Sequence, residues 1–198
     1  RQDDDINRLF FYSLSSARVH SIQLLVTSGE KIIGSFDGWL VLENKFCWAM
    51  SILNPLTGVH IHLPMLPRYL WNNKNCQSLW RMATSSNSST SYKGCIIFNP
   101  LLSIRFGEDD NWTMLDDKSI YTDVIYFKER FYVLDKDARV SIFDSYLKKV
   151  IVIGPQGDLR YGPHYFAELS GELVVFTGKY IRSSINIFQY YLKRIHIS

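Results

Sequence analysis

The sequence predicts an all-β chain built from repeated four-stranded units of the β-propeller kind. Three observations carry this prediction. Aromatic residues make up 15% of the chain, with 12 Tyr, 12 Phe and 5 Trp, and flat side chains of this type fill a pleated, half-buried surface. Short apolar runs bounded by turn residues recur at a spacing of about 45 residues, the range of propeller blades. No window repeats apolar residues at helical spacing over three turns with caps at both ends.

The second strand of each unit is the clearest: Gly38 to Leu42, Gly94 to Phe98, Arg130 to Leu134 and Gly171 to Phe176. Third strands follow at Ser51 to Asn54, Ser103 to Phe106, Val140 to Asp144 and Ile185 to Phe188. Fourth strands come after short turns at Val59 to Leu63, Trp112 to Leu115 and Lys149 to Ile153, and first strands include Leu79 to Ala83, Asp123 to Phe127 and His164 to Glu168. Ahead of these, Leu9 to Ser13 and Arg18 to Leu24 flank a Ser-rich turn and read as the last two strands of a preceding blade. The expected organisation is one propeller domain over residues 1–198, with a half blade at 1–25 and blades at 26–64, 65–118, 119–155 and 156–198.

The register is not unique, because Asn99-Pro100-Leu101 echoes Asn54-Pro55-Leu56. The register that leaves four strands in each unit is preferred. One helical turn is expected within 65–77, and the polar run Thr84 to Ser91 reads as a loop. About four and a half blades leave two apolar blade faces uncovered, since each blade of a ring packs against two neighbours. An incomplete propeller is therefore expected, and the opening Arg1 in place of Met agrees with missing sequence.

Composition narrows the function. The net charge of +3 comes from 22 basic and 19 acidic residues, and the densest basic runs are the pairs Lys148-Lys149 and Lys193-Arg194. No nucleic-acid partner is expected from so little concentrated charge, and no membrane span from apolar runs this short. Three widely spaced cysteines, Cys47, Cys76 and Cys95, lack zinc-site spacing and read as free thiols. The sequons at Asn87 and Asn111 come with no signal peptide. The expected location is intracellular, in the nucleus or cytoplasm.

Neither cofactor nor metal is expected. His60 and His62 share one side of a strand, so the pair could ligate a metal, but no carboxylate or thiol lies near them in sequence. The acidic pairs Asp109-Asp110 and Asp116-Asp117 invite a glycosidase reading, yet they sit in turns, where Asp bonds nearby backbone amides. Gly154-Pro155-Gln156-Gly157 lacks the Lys-Ser/Thr pair of a phosphate loop. In Asn54-Pro55-Leu56-Thr57-Gly58, Pro fixes one turn angle, Gly permits a positive φ and Asn caps the bend, so the stretch joins two strands. Trp39, Trp112 and Phe131 read as blade-packing residues. Arg68, Tyr69 and Trp71 combine interface-enriched residue types in the connection between two blades and are the candidate partner-binding site.

Three ordered blocks carry a resemblance. They are Gly34-Ser35-Phe36-Asp37-Gly38-Trp39-Leu40-Val41 with Leu53 to Gly58 and Ile61 to Pro64; Arg105 to Thr113; and Asp123 to Phe127 with Phe131 to Asp135 and Arg139-Val140. Together they resemble the plant F-box-associated family with a KIB-type β-propeller, domain of unknown function 295, over about Phe11 to Leu192. The resemblance implies a kelch-like propeller, non-catalytic, that selects targets for an SCF-type ubiquitin ligase. Its Skp1-type adaptor would dock to an F-box segment outside this chain. Where relatives often carry Arg-Pro-Gly-Asp, this chain reads Arg105-Phe106-Gly107-Glu108. A free-standing scaffold or inhibitor propeller is the alternative, and a carbohydrate-active propeller enzyme the lesser one.

Overall fold

The fold follows from hairpins. A computed structural model describes residues 8–24, 29–47, 49–68, 81–85, 93–97, 100–106, 108–144, 146–154, 164–181 and 187–194, of which 93–97, 178–181 and 187–194 are described by their backbone. Among the described residues seventeen strands form five antiparallel sheets, each a simple meander. Packing density divides the chain into two compact units, Arg1–Leu66 and Pro67–Ser198.

In the first unit, β1 (Arg8–Ser13) pairs with β2 (Arg18–Gln23), and β3 (Glu30–Phe36), β4 (Trp39–Asn44), β5 (Met50–Leu53) and β6 (His60–His62) form a four-stranded sheet in that order. Two turns show why. Asp37 and Gly38 both take positive φ, 42° and 80°, giving the two-residue turn whose twist matches its strands. At Asn54 the side-chain Oδ1 accepts from the Leu56 and Thr57 amides at 3.0 and 3.1 Å, while Gly58 sits at φ 73°. The Asn-Pro-Leu-Thr-Gly stretch thus closes its hairpin as the sequence predicts. Leu40, Leu42 and Leu53 share one face of the sheet with Leu24, and Leu9 packs against them.

In the second unit, β7 (Arg81–Thr84), β8 (Lys93–Ile97), β9 (Leu101–Arg105) and β10 (Thr113–Asp116) form one sheet. A second comprises β11 (Tyr121–Phe127), β12 (Arg130–Asp135), β13 (Val140–Phe143) and β14 (Lys149–Ile153), and a third β15 (His164–Leu169), β16 (Glu172–Ile181) and β17 (Ile187–Arg194). Side chains alternate across a strand, so the middle sheet can feed two cores at once. Phe131 and Val133 of β12 face Ala83 and Leu101 of the sheet before. Tyr132 and Leu134 face Leu173 and Val175 of the sheet after. Burying each large apolar side chain contributes roughly 1.5–3 kcal/mol, and doing so on both faces stacks consecutive blades.

Some expectations shift. β9 begins at Leu101, which is fully buried, whereas Leu56 lies in an exposed turn, and β7 to β10 form a four-stranded sheet; Asn99 of the echo lies outside the described residues. The third strand of the last sheet continues to Arg194, beyond the expected Phe188, and pairs along β16 up to Ile181; residues 185–186 of the expected strand lie outside the described residues. Of the helical turn expected within 65–77, residues 69–77 lie outside the described residues, as do 86–91 of the polar loop. Trp112 and Phe131 are buried and Trp39 is half-buried, in line with blade packing. No helix among the described residues is long and apolar enough to cross a membrane.

Candidate interaction site

The first strands of the second unit meet, with β11 packed against both β7 and β15. A register shift between Tyr121 and Asp123 breaks the alternation of β11 and places Tyr121 and Val124 in the same core. Asp123 beside it is nearly enclosed. Its Oδ2 accepts from the Phe166 amide of β15 at 2.7 Å, and its Oδ1 accepts from the Val124 amide at 3.0 Å. Arg81 of β7 brings Nε to 3.8 Å from Oδ1 and sets its guanidinium 5.5 Å from the centre of the Tyr165 ring. Burial pushes the Asp123 carboxyl above its ordinary range, against the pull of the two amides and Arg81.

Arg81, Asp123 and Tyr165 thus link three sheets through one polar cluster. Arg81 keeps 45% of its side chain exposed, so the cluster offers a cation and an aromatic ring to anything that approaches the first strands. The sequence reading missed it because the three residues are far apart in the chain. The signal was present in register: each lies in the first strand of its own unit.

Two further contacts hold the sheets. His164 is fully buried, with Nδ1 3.0 Å from Thr177 Oγ1, and burial lowers its pKa against the opposing Lys136 backbone carbonyl and the Asp135 and Asp137 carboxylates. Lys149 of β14 donates to Asp116 of β10 at 2.9 Å. Burial works against the Asp116 charge, yet Lys149, the Lys118 amide and Tyr121 hold its carboxyl down to about 2.

One aspartate of each acidic pair does turn work. Asp109 accepts from the Arg105 amide at 2.8 Å and pairs with its guanidinium at 2.6 Å, and Asp116 accepts from the Lys118 amide at 2.8 Å. At the departure Arg105-Phe106-Gly107-Glu108 the same arginine also reaches Glu108 at 3.2 Å, while Gly107 lies outside the described residues. His60 and His62 do share a side, with ring centres 4.7 Å apart. A carboxylate is nearer than the sequence shows, since β3 carries Glu30 to 3.9 Å from His60 Nε2. Ser51 Oγ lies 2.8 Å from that same nitrogen. A Ser-His-acid relay needs the acid on the other ring nitrogen, so this trio lacks the arrangement. Among the described residues no three His, Cys, Asp or Glu side chains form a group that could hold a metal ion.

Arg68 is exposed in the segment after β6, whereas Tyr69 and Trp71 lie outside the described residues. Cys47 is exposed and free, and Cys76 lies outside the described residues.

The model of the KIB1-4 beta-propeller family matches residues 11–195. The chain belongs to that family. The meander sheets of its second unit, packed through alternating side chains, accord with a propeller of this kind. No curated protein matches the sequence. Among solved structures, BamB from Moraxella catarrhalis is similar at a TM-score of 0.50 and 11% identity, over 86% of this chain and 49% of that one. BBS1N in complex with ARL6DN is similar at 0.53 and 12%, over 87% and 56%. The chain spans about half the length of these structures, and at such identity they show the fold alone.

Proposed function

We propose that this KIB1-4 propeller is a non-catalytic protein-interaction module, the target-selecting part of an F-box protein in an SCF-type ubiquitin ligase. The family match over residues 11–195 carries the reading. Two observations support it. The acidic groups that a hydrolase would aim at substrate are engaged elsewhere: Asp109 with Arg105, Asp116 with Lys149, and Asp123 with the Phe166 amide. BBS1N, similar in fold, was solved in complex with ARL6DN, which fits a propeller acting by binding. Target selection is assigned to the loop carrying Arg68, Tyr69 and Trp71 and to the exposed side of the Arg81 cluster, because loops on a rigid scaffold present binding groups. The module acts inside the cell, in nucleus or cytoplasm.

The test is affinity purification of the complete gene product and of the 198-residue chain, with Skp1-type adaptor and cullin quantified by mass spectrometry. Adaptor and cullin are expected with the complete product. Their absence from both forms would sink the ligase role and favour a free-standing scaffold or inhibitor.

A further inference from the structure

The three outer strands of the four-stranded sheets end differently, and one of them, although bulged at its start, exposes a run of β-branched residues. β6 has only three residues, and β10 has a register shift between Met114 and Asp116 and ends in an aspartate. Short edges, bulges and charges are the usual means of blocking a further strand. β14 is five residues long and reads Lys-Val-Ile-Val-Ile. Among the described residues it pairs with β13 alone.

Its side chains are unusual for an outer edge. Val150, Ile151 and Val152 are each about half exposed, at 52%, 50% and 53%, and Tyr146 before them is exposed. The register with β13 passes from Ile151 directly to Lys149, so Val150 is the bulged residue and Ile151, Val152 and Ile153 form a straight edge. Lys149 is engaged by Asp116, while Lys148, exposed, has no ion-pair partner among the described residues.

We infer that β14 is a docking edge for an extended segment of a partner protein, which adds antiparallel to Ile151, Val152 and Ile153 as a fifth strand. Backbone groups along the edge supply the hydrogen bonds, and the half-exposed Ile151 and Val152 supply apolar contact on opposite faces. Antiparallel addition places the C-terminal end of the guest beside Lys148. The guest is therefore a run of β-branched residues followed by an acidic residue. The inference does not depend on the ligase role.

The probe is a fluorescent peptide of sequence Thr-Val-Thr-Ile-Thr-Val-Asp-Asp, titrated with the 198-residue chain and read by polarisation. Saturable binding is expected, weakened about tenfold or more by Val152→Lys or by N-methylation of alternate peptide amides. Lys148→Glu should shift preference to the same peptide ending in two lysines. Each variant is compared with the parent by thermal melting, so that loss of fold is told apart from loss of the edge. Absence of saturation up to about 1 mM overturns the inference, as does binding indifferent to amide methylation. So does a concentration-dependent dimer abolished by Val152→Lys, which would make a second copy the occupant.

Discussion

Asp123 shows how much one side chain can carry. It accepts from two backbone amides, one of them in the neighbouring sheet, and does so at a cost in desolvation that raises its pKa. Asp123→Ala removes both acceptors and strands the Phe166 amide, so a loss of about 2–3 kcal/mol is expected in urea unfolding. Asp123→Asn keeps one acceptor and should lose less. His164 gives the pH dependence. Burial lowers its folded pKa below the ordinary 6.5, so the unfolded chain binds the proton more readily. Stability is full above about pH 6.5 and falls as pH drops below it. The unfolding midpoint should therefore decrease from pH 7.5 to about 5.5, and His164→Gln should flatten that slope. Neither role was legible in the sequence, because burial of a lone Asp or His is set by neighbours from other blades. The Asn54 turn was legible, because its angles and its cap lie within five consecutive residues.

At the scale of elements, the hairpins between first and second strands repeat one geometry with different residues. Asp37-Gly38 and Ser170-Gly171 use glycine at the second turn position, at φ 80° and 75°, whereas Lys128-Glu129 holds the same turn at 44° and 63° without one. A left-handed conformation costs a non-glycine residue roughly 1–2 kcal/mol. Glu129→Gly should therefore stabilise the protein by about 1 kcal/mol, offset in part by glycine's greater freedom when unfolded. A higher denaturant midpoint with unchanged slope would verify this. This turn explains which elements can be read from sequence: Phe131 to Leu134 reads as a strand from its residues alone, while its turn does not, since the flanking strands impose the angles. The same limit applies to β9, where the Asn-Pro-Leu echo left the register open and tertiary packing made Leu101 core. Glu30 beside His60 was hidden for a related reason, since the two sit on opposite outer strands of one sheet and their side chains meet over Ser51 of β5.

For the molecule as a whole, the repeat of about 45 residues was the most legible feature, because each blade must present alternating side chains to its neighbours. Family membership then connects the repeat to a function through binding. Polar contacts among the first strands and the Lys149–Asp116 clasp hold the blades of the second unit in register, which is what a binding scaffold requires. On the proposed function the protein works by engaging another protein, with Arg68, Tyr69 and Trp71 among its contacts. The most direct measurement of this is quantitative affinity purification of the complete gene product beside a variant carrying Arg68→Ala, Tyr69→Ala and Trp71→Ala. Retention of adaptor and cullin by both forms, with one or more further proteins lost from the variant alone, is the outcome expected of this mode of action. Identical protein sets from two equally well-folded forms would contradict it.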